Sequence, residues 1–234
     1  MSITSSTVTL KRDGARSFDG YFATPSQSKG PAILLLSDMF GVNEPIRDVA
    51  DDYADRGHAV LAPNLFWRSE IPGVISYEDS EHAKTWARLK AMDLGVVSAD
   101  MATAVGWLRV QPYGQGKVAA VGFCGGGRFA FLAAVRCGVD ATAALYGLGI
   151  SQHLDEIGNA CGPVQMHYGL RDRRISHEEI DTVSAGVRGR PGMEVFIYPD
   201  AGHSFANPAR PTYDPAATRL ATERIDAMLA ELGK

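Results

Sequence analysis

Three side chains far apart in the chain have the types that nucleophilic chemistry needs: Cys124, Asp172 and His203. Cys124 lies in "KVAAVGFCGGGRFAFLAAV", residues 117–135, where an apolar run ends in a glycine-rich turn and helical spacing follows. Gly122 and Gly126 stand two residues to either side of it. A strand that turns sharply into a helix lifts the residue at its tip out of the backbone, usually in a strained conformation. Side chains flanking such a turn would collide with the adjoining elements, so glycine is expected there. The helix start supplies free N–H groups and the positive end of a dipole, which favour thiolate over thiol at Cys124. The Gly125 amide can then donate to a developing oxyanion. Taken alone, the turn also fits a buried cysteine acting as a small hydrophobe. It lacks the Lys-Ser/Thr of a phosphate-binding loop and the G-x-G-x-x-G of a dinucleotide site.

A nucleophile needs a base, and the base needs a group to orient it. "MHYGLRDRRIS" puts Asp172 in a loop after one predicted strand, and "FIYPDAGHSFANP" puts His203 after the last. Ligands of a parallel sheet gather beyond the carboxyl ends of its strands, where all three residues are expected to meet. The chemistry this implies is acyl transfer. His203 holds or takes the thiol proton, Asp172 orients the imidazole, Cys124 attacks an ester carbonyl, and His203 then activates water against the acyl-enzyme. Met39, in the loop after "AILLLS", is the expected second oxyanion donor. Phe40 beside it, Tyr146 after "ATAAL" and Ser204 beside His203 are candidate substrate contacts.

The elements that must position these residues follow from periodicity. "TVTL" and "FDGYFAT" flank "KRDGARS" and predict a hairpin. Continuous apolar runs at 31–37, 117–123, 141–147 and 163–169, with "HAVLAP" and "MEVFIYP", predict strands, several of them buried on both faces. Helical spacing covers 44–57, 80–93, 96–110, 126–138, 176–189 and 213–232. Strands alternating with helices predict an α/β fold with a mainly parallel sheet of about eight strands and helices on both faces. The 234 residues suit a single domain, with the irregular, aromatic-rich segment 64–95 as a candidate cover over the active site or as a plain surface helix with its loops.

Bulk composition narrows the class. With 23 Lys plus Arg against 27 Asp plus Glu, the net charge is −4, which offers nucleic acid or an anionic membrane no basic surface. No apolar run approaches the roughly 20 residues of a membrane span, and the N-terminal stretch lacks a signal-peptide pattern. The three cysteines, Cys124, Cys137 and Cys161, have no metal-ligand spacing and fit a reducing compartment. The expectation is a cytoplasmic protein with a small-molecule substrate and no metal; oligomeric state is not legible.

Together, "VGFCGGG", "GLRD", "AGHSFANP" and "SDMFGVN" resemble the dienelactone hydrolase family of α/β-hydrolases, and "APNLFW" and "RVQPYGQGKVAAVGF" extend the resemblance over nearly the whole chain. The order Cys124, Asp172, His203 is also the nucleophile–acid–histidine order of that fold. The resemblance implies an α/β-hydrolase fold, a Cys-Asp-His triad, hydrolysis of unsaturated cyclic esters (the carboxymethylenebutenolidase type of reaction) and no cofactor. It also marks three departures. Asp38 stands where a nucleophile-poising glutamate is found in the best-known members. His82, with Trp86 four residues on, and Asn207 stand where two arginines hold the substrate carboxylate. Losing two bidentate clamps predicts a weak preference for carboxylate-bearing lactones, unless Arg210, Arg173 or Arg174 substitutes from a new position. His82 and Trp86 fit a more aromatic ligand. The alternatives are a broad carboxylesterase or thioesterase, and a non-catalytic binding protein with a reactive thiol.

Overall fold

The computed structural model describes residues 3–233. Its strands are β1 (Thr4–Asp13), β2 (Arg16–Thr24), β3 (Ala32–Leu36), β4 (Val60–Pro63), β5 (Val118–Phe123), β6 (Ala141–Leu145), β7 (Val164–Gly169) and β8 (Met193–Tyr198). They form one sheet in the order β1-β2-β4-β3-β5-β6-β7-β8. The predicted hairpin forms its antiparallel edge, and β4, β3 and β5 to β8 run parallel. This is the expected α/β-hydrolase architecture. Every residue of β3, β5, β6 and β7 is buried, which is why these strands read as unbroken apolar runs.

The helices are α1 (Glu44–Asp55), α2 (His82–Lys90), α3 (Leu94–Arg109), α4 (Gly125–Arg136), α5 (His177–Val187) and α6 (Pro215–Leu232). Local chemistry sets several starts. Asn43 Oδ1 accepts from the Ile46 amide at 3.2 Å before α1, and Asp214 caps α6 through the Ala216 and Ala217 amides, each at 3.0 Å. Asp93 caps α3 through the Gly95 and Val96 amides, so α3 begins two residues before the predicted start and α2 stops short of the predicted end. A 3-10 turn, Asp79–Glu81, precedes α2, and a 3-10 run over Ile150–Asn159 was not foreseen. Phe129 and Phe131 of α4 are wholly buried, each contributing roughly 2 kcal/mol of apolar burial.

One topological feature locates the crevice. The chain leaves β3 towards β4 on one side and resumes in β5 on the other, so the loops at their carboxyl ends diverge. A sheet opens a ligand crevice at such a point. Leu36 at the end of β3 pairs with Gly122 near the end of β5, which brings the Asp38–Phe40 loop beside Cys124.

Candidate active site

Cys124 occupies the tip of the β5–α4 turn with φ 57° and ψ −117°, outside the region an L-residue prefers. The turn is over-determined. The Cys124 amide donates to the Leu145 carbonyl at 3.0 Å, and the Gly127 amide donates to the Cys124 carbonyl at 3.0 Å. A Cβ at Gly122 would overlap the Gly126 carbonyl, and one at Gly126 would overlap the carbonyls of Leu36 and Ser37. The glycines therefore let β5, α4 and the β3 loop approach backbone to backbone. Tyr146 (φ 40°) and Ser204 (φ 64°) also have positive φ, so strain among the described non-glycine residues concentrates around this cleft. The φ of Tyr146 also explains why β6 stops at Leu145.

His203 Nδ1–H donates to Asp172 Oδ2 at 2.7 Å. Asp172 Oδ1 accepts from the amides of Arg174 at 2.7 Å and Ile175 at 3.1 Å, so the carboxylate is fixed before it fixes the ring. Tyr146 is wholly buried and packs edge-on against the imidazole, centroids 5.2 Å apart. Thr212 Oγ1 donates to the His203 carbonyl. His203 Nε2 is buried without a hydrogen-bond partner. Burial lowers the imidazole pKa, but the Cys124 charge and the Asp172 hydrogen bond outweigh it and carry the pKa to about 9.

Cys124 and His203 line a common space with Asp38, Met39, Phe40, Arg174, Ser204 and Arg210. That space is narrow, about 10 Å³, and Cys124 is only 4% exposed. Arg174, His203, Ser204 and Arg210 also line an adjoining cavity of about 790 Å³, which His82, Arg171 and Arg173 share. The structure thus gathers Cys124, His203, Asp172, Asp38, Met39, Phe40 and Ser204 at one point, with Gly125 next to Cys124 at the start of α4. His82 lies at the outer cavity, its Nε2 3.5 Å from Arg210 Nη2. Trp86 lines neither space; it is 40% exposed and lies 5.7 Å from the Arg174 guanidinium. Tyr146 and Asn207 line neither and support the site from behind.

Asp38 is buried. Its Oδ1 accepts from the Phe40 amide at 2.9 Å and its Oδ2 from Tyr77 Oη at 3.0 Å. Burial raises its pKa to about 6, against the lowering effect of those two hydrogen bonds and of Arg210 and His203. Asn207 Nδ2 donates to Tyr77 Oη at 3.0 Å, and Arg210 Nη1 donates to the Tyr77 carbonyl at 3.2 Å. Arg88 of α2 is 2% exposed. It donates to the carbonyls of Gly73 at 2.7 Å, Ile71 at 3.2 Å and Met39. Leu89 packs over Gly125. Sequence reasoning missed Tyr77 and Arg88, because a lone Tyr in an irregular stretch and a lone Arg on a helix carry no signature.

Among the described residues, no helix is long and apolar enough to cross a membrane. Comparison with known proteins agrees with the geometry. The family model for the dienelactone hydrolase family matches residues 18–232. A carboxymethylenebutenolidase from Pseudomonas putida is 29% identical over 227 residues, covering 96% of each chain. Carboxymethylenebutenolidase 1 from Cupriavidus pinatubonensis is 28% identical over 223 residues, covering 94% of each. The crystal structure of a dienelactone hydrolase-like promiscuous phosphotriesterase from metagenomic libraries superposes with a TM-score of 0.81 at 25% identity, covering 98% of each chain. A match over almost the entire sheet and its helices leaves one assignment: this chain is a hydrolase and belongs to the dienelactone hydrolase family.

Proposed function

We propose that the protein hydrolyses activated esters or lactones through a Cys124–His203–Asp172 triad and an acyl-enzyme. The observation that carries this reading is the 2.7 Å His203–Asp172 hydrogen bond, which leaves the unpartnered Nε2 in the space that Cys124 lines. His203 Nε2 holds the proton of the Cys124 thiol, and the sulfur attacks the carbonyl carbon to form the sulfur–carbon bond. The carbonyl oxygen gains the negative charge, which the Gly125 and Met39 amides are proposed to receive. As the carbon–oxygen bond breaks, His203 returns its proton to the leaving oxygen. Water, deprotonated by His203, then cleaves the thioester and releases the acid and the thiol. A thiolate is itself a good leaving group, so its attack on a poor one reverses; this favours enol lactones, activated esters and thioesters over amides.

Asp38 is the proposed poising residue, acting on the Cys124–His203 pair through its charge. Phe40 and Ser204 are the proposed nearest substrate contacts, with His82 further out; Tyr146 and Asn207 act by supporting the imidazole and Tyr77. Trp86 is assigned no more than the rim. The segment 64–95 covers the site, because Tyr77 and Arg88 tie it to Asp38 and Met39. The space of about 10 Å³ beside Cys124 has to widen for an ester carbonyl to enter it. Arg174 and Arg210, both beside Cys124, support acceptance of a carboxylate-bearing lactone despite His82 and Asn207.

The test is turnover of p-nitrophenyl acetate with mass spectrometry of the quenched reaction. Wild type should show an acetylated Cys124 peptide, and Cys124→Ala should lose about 10³-fold or more in kcat/KM. Equal turnover by both proteins would end this reading and favour a non-catalytic thiol protein.

A further inference from the structure

The space of about 10 Å³ beside Cys124 adjoins a cavity of about 790 Å³, which has the size of a small-molecule site. His203 and Ser204 line both, and Gly202 lines the larger. His203 is the group that returns a proton to the departing atom, so a leaving group lies on its side and extends into the outer cavity. Charge there is unbalanced. Arg171, Arg173, Arg174 and Arg210 line the cavity against two carboxylates, Asp200 and Asp214. Asp200 is paired with Arg171, and Asp214 Oδ1 caps α6 through two amides, each at 3.0 Å. Asp172, which separates Arg171 from Arg173 in the chain, turns inward onto His203 with its side chain 1% exposed. Arg173 and Arg174 are exposed to the solvent and, among the described residues, have no carboxylate partner.

We propose that the substrate is a thioester whose departing thiol carries a phosphate group, which Arg173 and Arg174 bind in the outer cavity; this rests on the Cys124–His203–Asp172 reading. Two neighbouring guanidiniums offer several N–H donors, which match the oxygens of a phosphate dianion. Reach and reactivity together select sulfur. A flexible chain that crosses the cavity and departs as an alkoxide leaves less readily than Cys124, so the attack reverses. An alkyl thiolate leaves as readily as Cys124 Sγ does. Cys124 Sγ bonds to the carbonyl carbon, the bond from that carbon to the substrate sulfur breaks, and the departing sulfur keeps the electron pair and takes the proton from His203. Water, deprotonated by His203, then cleaves the Cys124 thioester. The products are a carboxylic acid and a phosphate-bearing thiol.

The test compares S-acetylpantetheine with S-acetylphosphopantetheine, which share the acyl group and the leaving sulfur and differ by one phosphate. Wild type should hydrolyse both, with kcat/KM higher for the phosphorylated thioester by about tenfold or more, the gain falling in KM. That ratio should drop about fivefold or more in Arg173→Gln and further in Arg173→Glu, with circular dichroism confirming the fold. Equal kcat/KM for the two thioesters, no turnover of either, or a ratio that both substitutions leave intact would overturn the proposal. p-Nitrophenyl acetate, whose leaving group carries no phosphate, separates it from the triad. If that ester acetylates Cys124 while the two thioesters are turned over equally, the phosphate site fails and the triad stands. If Cys124→Ala hydrolyses p-nitrophenyl acetate as fast as wild type, the triad itself fails, and this proposal with it.

Discussion

The two walls of the cleft are built on different principles. On the Cys124 side, each functional group sits on a short turn after one of the parallel strands β5, β7 and β8, and backbone groups fix those turns: the Cys124 amide donates to the Leu145 carbonyl, and the Arg174 and Ile175 amides donate to Asp172. On the Asp38 side, apart from the Phe40 amide that holds Asp38 Oδ1, the groups are joined by side chains reaching across the chain: Tyr77 reaches Asp38 over 39 residues and Asn207 over 130, and Arg88 reaches Met39 over 49. The first wall is rigid because backbone approaches backbone. The second is polar and ties the segment 64–95, the proposed cover of the site, to Asp38 and Met39. Rigid placement suits reacting atoms, and a hydrogen-bonded, reversible closure suits access.

Substitutions can break or sharpen this contrast. The largest effect is expected for Gly126→Ala. Its Cβ would overlap two carbonyls of the β3 loop, so the loss of stability should be on the order of 5 kcal/mol and soluble protein should fall sharply on expression. Asp172→Asn leaves the fold intact but removes the acceptor that fixes the imidazole; kcat should drop about 10³-fold to 10⁴-fold. Losing that hydrogen bond should also bring the His203 pKa below about 9, readable by NMR titration of the ring.

On the other wall, smaller effects with distinct pH signatures are expected. Asp38 has a folded pKa of about 6 against 3.8 unfolded, so the folded chain holds the extra proton between those values. Stability should therefore fall as pH rises through about 4 to 6, by about 2–3 kcal/mol, and Asp38→Asn should abolish that fall in urea titrations. The same variant should slow iodoacetamide alkylation of Cys124 or shift its pH dependence. Tyr77→Phe removes a donor that lowers the Asp38 pKa. The acid limb of kcat/KM should move to higher pH, with a stability cost of about 1 kcal/mol. Trp86→Ala should change kcat/KM less than about threefold, since exposed side chains away from special features have small effects. A large effect there would extend the substrate contacts beyond the two cavities.

The residues by themselves determined the first wall. Gly122, Cys124 and Gly126 announce a turn because only glycine tolerates such close backbone packing, and buried parallel strands announce themselves as unbroken apolar runs. Asp172 and His203 were legible through their places after strands, since sheet topology alone sends strand ends to one edge. Only the tertiary structure decided the second wall. Tyr77, Asn207 and Arg88 owe their partners to where a long irregular segment folds back. No local periodicity encodes a hydrogen bond spanning 130 residues. The same limit moved Tyr146 and Asn207 from expected lining to support, and Trp86 to the surface. Arg174 and Arg210 reached the space beside Cys124 for that reason too: a guanidinium's address depends on the packing of every element between it and the site, not on its spacing from the nucleophile.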